Sequence, residues 1–209
     1  MRRFFGVALA AVVAIGMAAA PASAIPNHQL GGTLGAVWET VLEAPIPDNP
    51  FGGGDPCIDL GGTVAPFVPL GTTTLTCTVK PGTKIFITAE SSECSTVEPP
   101  PFFGRNEAEL RACALAADAG FQVPTVTLDG SSVPVSEVET GLLTIDLPEN
   151  NILEVPAQQA FSVAHGWVAL LHPLPPGTHQ ISIHIEGTDQ FGNPINLNNT
   201  TTIVVEPGL

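Results

Sequence analysis

Four cysteines, Cys57, Cys77, Cys94 and Cys113, constrain this chain more than any other feature. An even count permits three disulfide pairings. Their spacing favours neighbours, Cys57 with Cys77 and Cys94 with Cys113, each closing a loop of about 20 residues and contributing about 3 kcal/mol in the chain-entropy account. Structural zinc requires Cys-x2–4-Cys knuckles, and the spacing supplies none. A catalytic thiol is disfavoured too, because full pairing leaves no cysteine over. Paired cysteines belong to an oxidising compartment.

The N-terminus agrees with that compartment. "MRRFFGVALAAVVAIGMAAAPASA" sets Arg2 and Arg3 before an apolar stretch from Val7 to Ala20, followed by Pro21 and the small residues Ala22-Ser23-Ala24. This is the layout of a secretory signal peptide. Residues 1–24 are therefore expected to be removed, leaving 25–209 as one exported domain starting at Ile25. The apolar stretch is short for a membrane span, and no cysteine follows it for lipid attachment. The expected product is secreted, extracellular or in the cell envelope, and is not an integral membrane protein.

Charge narrows the partners. Six Lys and Arg stand against 20 Asp and Glu, a formal net charge of −14, and Arg2 and Arg3 leave with the leader. Such a field repels nucleic acid, whose binders neutralise phosphate with Lys and Arg. A protein or glycan ligand remains the expected partner class, with no cofactor implied.

Most of the chain reads as strand and turn. In "TTTLTCTVK", Leu75, Cys77 and Val79 alternate with Thr74, Thr76, Thr78 and Lys80, the pattern of a half-buried strand with Cys77 inward. "PGT" turns the chain into the strand "KIFITAE". Asp129-Gly130 in "VTLDGSSVPV" is a two-residue hairpin signal that sets Val126 opposite Val133. Leu143, Ile145 and Leu147 alternate in "GLLTIDL". The single helical signature is "NEAELRACALAAD", about residues 106–118. There Asn106 caps, Glu109 stands in capping-box spacing, Glu107 and Arg111 pair, and Leu110, Cys113, Ala114 and Ala117 make one stripe. The expected fold is mainly β, an antiparallel sandwich of the immunoglobulin-like or jelly-roll kind with one inserted short α-helix.

"LLHPLPPGTHQISIHIEG", Leu170 to Gly187, raises the functional question. Read as part of a C-terminal hairpin over about 162–187, with His172 facing His179, it places Leu170, Val168 and Gly166 opposite Ile181, Ile183 and Ile185 on one face. The other face then gathers His165, Trp167, His184 and Glu186, an aromatic plate with polar groups suited to an amphipathic ligand. His172 and His179 are weak metal candidates at the turn, since two ligands do not make a site.

Enzyme motifs are missing. No nucleophile elbow, phosphate-binding loop or dinucleotide fingerprint occurs, and the glycines of "GGTLGAVW" and "FGGGDP" read as loops. Glu90, Glu93 and Glu98 crowd around Cys94. Composition makes this an acidic, solvated loop, although paired carboxylates also serve glycoside hydrolysis or, with Asp55 and Asp59, calcium.

"CTVKPGTKIFITAESSECSTVE", "NEAELRACA", "TLDGSSV" and "GWVALLHPLPPGTHQISI" together resemble a family of exported, disulfide-containing bacterial β-sandwich proteins of actinobacterial type. The resemblance runs from about Trp38 to Ile185. It implies the order of elements and the exported location, and it assigns no activity and no catalytic residue. Where the family has an Asp-Gly-aromatic step before the "PL.PG.H" strand, this chain has His165-Gly166-Trp167, which weakens an Asp-based calcium site there. The leading expectation is a non-enzymatic binding or interaction module of the envelope or exterior. A secreted hydrolase or metal-dependent carbohydrate-active protein is the alternative.

Overall fold

Strand patterning of this density closes into two packed sheets. A computed structural model describes residues 26–68 and 73–208; the signal-peptide reading at 1–24 lies outside them. The strands are β1 Cys57–Asp59, β2 Thr63–Pro66, β3 Thr74–Val79, β4 Lys84–Ser95, β5 Thr125–Leu128, β6 Ser131–Val133, β7 Ser136–Glu139, β8 Leu143–Leu147, β9 Gln158–Leu171, β10 Gly177–Thr188 and β11 Pro194–Val205. Among the described residues the α-helices are α1 Asn27–Glu43 and α2 Glu107–Asp118, and two short 3-10 turns, Ile46–Asp48 and Pro50–Gly52, follow α1. One sheet runs β1-β2-β4-β9-β7, with β8 also paired to β9, and the other runs β3-β11-β10-β5-β6. The fold is thus mainly β, a two-sheet sandwich. It is not antiparallel throughout: β2 runs parallel to β4 and β3 parallel to β11. The chain leaves the first sheet for β3 and returns as β4, and that excursion is the crossover that a parallel pair needs.

Between the sheets lies a core of Ile85, Ile87, Trp167 and Ala169 from one side and Val126, Ile181, Ile183, Ile185, Ile203 and Val205 from the other. Several local expectations hold. β3 buries Cys77 and Val79, and Val126 pairs with Val133 across Asp129-Gly130, both of which have the positive φ this turn demands. In α2, the Asn106 side chain accepts from the Glu109 backbone N–H at 3.1 Å while Glu109 Oε2 accepts from the Arg105 N–H at 2.9 Å. Both neighbour disulfides form. Cys57–Cys77 ties β1 of one sheet to β3 of the other, and Cys94–Cys113 ties α2 to β4.

Two expectations are overturned. The first is the single helix. α1 lies across the outer face of the first sheet, where Leu30, Leu34, Val37 and Val41 pack on Phe86, Val138, Ala164 and Val168. The "GGTLGAVW" glycines are part of this helix and not of a loop. A Cβ on Gly31 would come within 2.4 Å of the Glu139 carbonyl oxygen, so glycine is what lets the helix approach β7.

The second is the hairpin over 162–187. β9 and β10 belong to different sheets; β9 pairs with β4, β7 and β8, and β10 with β5 and β11. Three prolines, Pro173, Pro175 and Pro176, lack the N–H groups a ladder needs, and the stiff connection carries the chain from one sheet to the other. β9 is consequently buried on both faces from Ser162 to Ala169. Val168 turns towards α1 and Trp167 towards the sandwich core. Among the described residues no helix is long and apolar enough to cross a membrane.

Candidate functional site

Long strands open the site. β4 makes a bulge between Thr88 and Glu90 where it pairs with β9, and bulges re-aim the side chains beside them. Around that point Thr88, Glu90 and Glu93 line a cavity of about 450 Å³, which is bounded by α1, by β4 and by Ile183, Ile185 and Leu197 of the second sheet. Two aromatic groups reach it. Trp38 of α1 meets Phe67 edge to face at 6.2 Å and Phe67 meets Phe51 at 5.0 Å; Phe102 and Phe191 meet at 6.2 Å on another part of the wall. Trp38 is held in place by donating from Nε1 to Ser91 Oγ at 3.0 Å, while Ser91 Oγ donates to the His165 carbonyl at 2.7 Å.

The acids around Cys94 are not a solvated loop. Glu90 and Glu93 lie on β4 with helices and sheets over them, and Glu98 sits on the turn that follows. Glu93 is 6% exposed. The Ser162 hydroxyl donates to its Oε1, and Glu98 is its hydrogen-bonding neighbour. Burial, and then the charge of Glu98, hold the Glu93 carboxyl well above the usual carboxylate range, against the pull of Ser162. Burial also raises Glu98, opposed by hydrogen bonds from Glu93 and Ser95. At Glu90, burial followed by the charge and hydrogen bond of Asp118 push the carboxyl up to about 9. Two acids side by side in a dry site cannot both ionise cheaply, and a shared proton is the ordinary solution. Glu90 Oε2 and Asp118 Oδ1 have no donor as carboxylates, and a proton on Glu90 gives the pair its bond.

His165 continues this chain of groups. Its Nδ1 lies 2.8 Å from Asp118 Oδ2 and its Nε2 3.3 Å from Glu137 Oε1. Asp118 first, and then the surrounding acidic charge, raise the imidazole above its ordinary value against the cost of burial. Polar groups thus run from the cavity wall at Glu90, through Asp118 and His165, to Glu137, which is 57% exposed. Arg111 fastens α2 over this line by binding Glu107 at 2.6 Å, Glu139, and the Thr140 carbonyl at 3.1 Å.

The patch expected from His165, Trp167, His184 and Glu186 does not assemble, because its premise was the hairpin. His165 and Trp167, with rings 5.9 Å apart, are interior. His184 and Glu186 project from the opposite, outer face of the second sheet, where His184 Nε2 lies 3.1 Å from Glu186 and Nδ1 lies 3.0 Å from Asn198. His179 is bound by Asp129 at 2.8 Å and by the Pro175 carbonyl at 3.0 Å, and His172 is exposed. Asp55 and Asp59 accept from the backbone N–H groups of Cys57 and Gly61. Among the described residues no group of three or more His, Cys, Asp or Glu side chains is placed to hold a metal ion. Sequence reasoning missed Asp118, which reads as the last residue of a helix, and Thr88 and Trp38. The one available signal was an acid on the inward side of a helix that is otherwise apolar there.

No protein-family model matches this chain, and no curated protein matches it. Among solved structures, the solution structure of Amebosin is similar over 65% of this chain and 100% of that one, at 10% identity and a TM-score of 0.22. A likeness that small carries no argument.

Proposed function

We propose that this chain is an exported, non-enzymatic binding protein of the cell envelope or exterior, and that its ligand is a small, mainly apolar molecule held in the cavity. The cavity itself carries the reading. Its volume lies in the range of small-molecule sites, which are mostly apolar with a few placed polar groups, and its wall combines aromatic rings with buried carboxyls. The signal-like leader and two disulfides support export. Titration of the oxidised protein with N-phenyl-1-naphthylamine, a neutral fluorophore, tests this. Saturable 1:1 binding is expected, and it should be lost in Leu197→Trp, which fills the wall while circular dichroism shows the fold retained. An absence of saturable binding, or binding indifferent to that substitution, refutes the reading.

A hydrolytic reading has one observation behind it, the paired Glu93 and Glu98 carboxyls on the cavity wall, which resemble an acid kept protonated for proton donation. Turnover of chromogenic glycosides or esters that disappears in both Glu93→Gln and Glu98→Gln would establish it over simple binding.

A further inference from the structure

The chemistry of the cavity wall goes beyond apolar capture. Glu90, Glu93 and Glu98 line it together with Asp189, whereas no Lys, Arg or His does. Six aromatic side chains, Trp38, Phe51, Phe67, Phe102, Phe121 and Phe191, share the same wall. A buried polar atom on a lining residue, Thr88 Oγ1, has no hydrogen-bond partner among the described residues. Aromatic faces and carboxylates both attract cations, and both do so more strongly where water is excluded.

We infer that the ligand is a cationic amphiphile, an organic amine whose protonated nitrogen is taken by a wall carboxyl, Glu90 on one face of β4 or Glu93 on the other, among the aromatic rings while its apolar body fills the remaining space. This rests on the binding reading of the cavity. Burial disfavours the charged forms of Glu90 and Glu93; an arriving ammonium group supplies the missing counter-charge and lets a carboxyl ionise. A carboxylate ligand meets the opposite situation, with four acids and no cation to receive it. A neutral alcohol finds hydrogen bonds and no charge. The chain's net charge of −14 draws cations towards the protein as a whole, so the test must separate the cavity from the general field.

Three probes of one chain length do so: octylammonium, 1-octanol and octanoate, each titrated calorimetrically at neutral pH. Octylammonium is expected to bind at least tenfold more tightly than octanol, and octanoate more weakly than either. In the Glu90→Gln, Glu93→Gln double variant the ammonium advantage should vanish while octanol binding stays. With the unmodified protein, octylammonium binding in phosphate and in Tris should differ in heat by an amount that corresponds to about one released proton, leaving Glu90 or Glu93; octanol should release none. The groups facing Glu90 that can share this titration are Asp118 directly and, through it, His165 and Glu137. The proton count needs no variant, so it remains decisive if the double substitution fails to fold. Equal affinity for octanol and octylammonium, an ammonium advantage that survives in the double variant, or no proton release overturns the amine inference and leaves the cavity reading standing. Binding of none of the three overturns both.

Discussion

Replacing Glu90 by Gln should make the protein more stable at neutral pH, and the magnitude follows from the site. The carboxyl moves from an ordinary 4.5 to about 9 on folding, because burial and then Asp118 disfavour its charge. Between those values the folded chain binds a proton that the unfolded chain has released. Stability therefore falls as pH rises through that window, by up to about 1.4 kcal/mol per pH unit for one proton. From pH 5 to pH 7 the loss approaches about 2.7 kcal/mol, a large part of the roughly 5–15 kcal/mol that holds a domain together. Glu93 and Glu98 are raised and slope the same way. So do His165, His179 and His184, whose raised values give stability below an ordinary histidine pKa that is lost as pH climbs through the folded one. The lowered Asp129 and Asp189 act only in the acid range.

Urea unfolding at pH 5, 6, 7 and 8, followed by circular dichroism, measures the slope. The unmodified protein should be most stable near pH 5. Glu90→Gln should remove about one proton's worth of the decline and raise the midpoint at pH 7, since the amide keeps the shape and donates to Asp118 without a charge to bury. A stability that is flat or rising from pH 5 to 7, or a variant with an unchanged slope, would refute the assignment of a protonated Glu90.

Two further outcomes test the frame. Removing the second disulfide with Cys94→Ser and Cys113→Ser should cost about 3 kcal/mol and speed amide exchange in α2 ahead of the sheets; α2 amides that stay as protected as those of β9 would show that Leu110 and Ala114 anchor the helix unaided. Gly31→Ala should destabilise by about 1–3 kcal/mol, because its Cβ meets the Glu139 carbonyl, whereas Gly32→Ala, with open space around it, should stabilise by up to about 1 kcal/mol through helix propensity. Like effects at the two positions in calorimetric melting would mean that α1 does not dock as described.

What was legible in the sequence depended on the range of the interaction. The β5–β6 turn, the α2 cap and the alternation of β3 and β8 are set by residues a few positions apart, and each stands where local chemistry puts it. α1 was hidden for a local reason as well. Its first turn carries no acidic residue and no side-chain cap, and three glycines interrupt it. All three weaken the helix in isolation, and two of them let β7 and β8 come close, Gly31 against Glu139 and Gly35 against Leu143. Tertiary packing decides that segment.

The connection from β9 to β10 failed for the opposite reason, since the pattern was strong and ambiguous. An apolar residue every second position on both sides of a turn fits a hairpin, but it equally fits two strands that face each other from separate sheets. Two features discriminate. β9 is apolar on both faces, "FSVAHGWVALL", which a half-solvated hairpin arm would not be, and its turn holds three prolines. Once β9 is central, a polar residue within it must find a buried partner, and His165 finds Asp118. The acids follow the same rule. Glu90 and Glu93 belong to the strand that pairs with β9 from Ile85 to Ser95, so they cannot be a solvated loop, and an acid kept dry in a cavity wall is either neutral or paired. That requirement links the fold to the proposed site, because the central strand that makes the hairpin impossible is the one whose neighbour carries the buried carboxyls into the cavity.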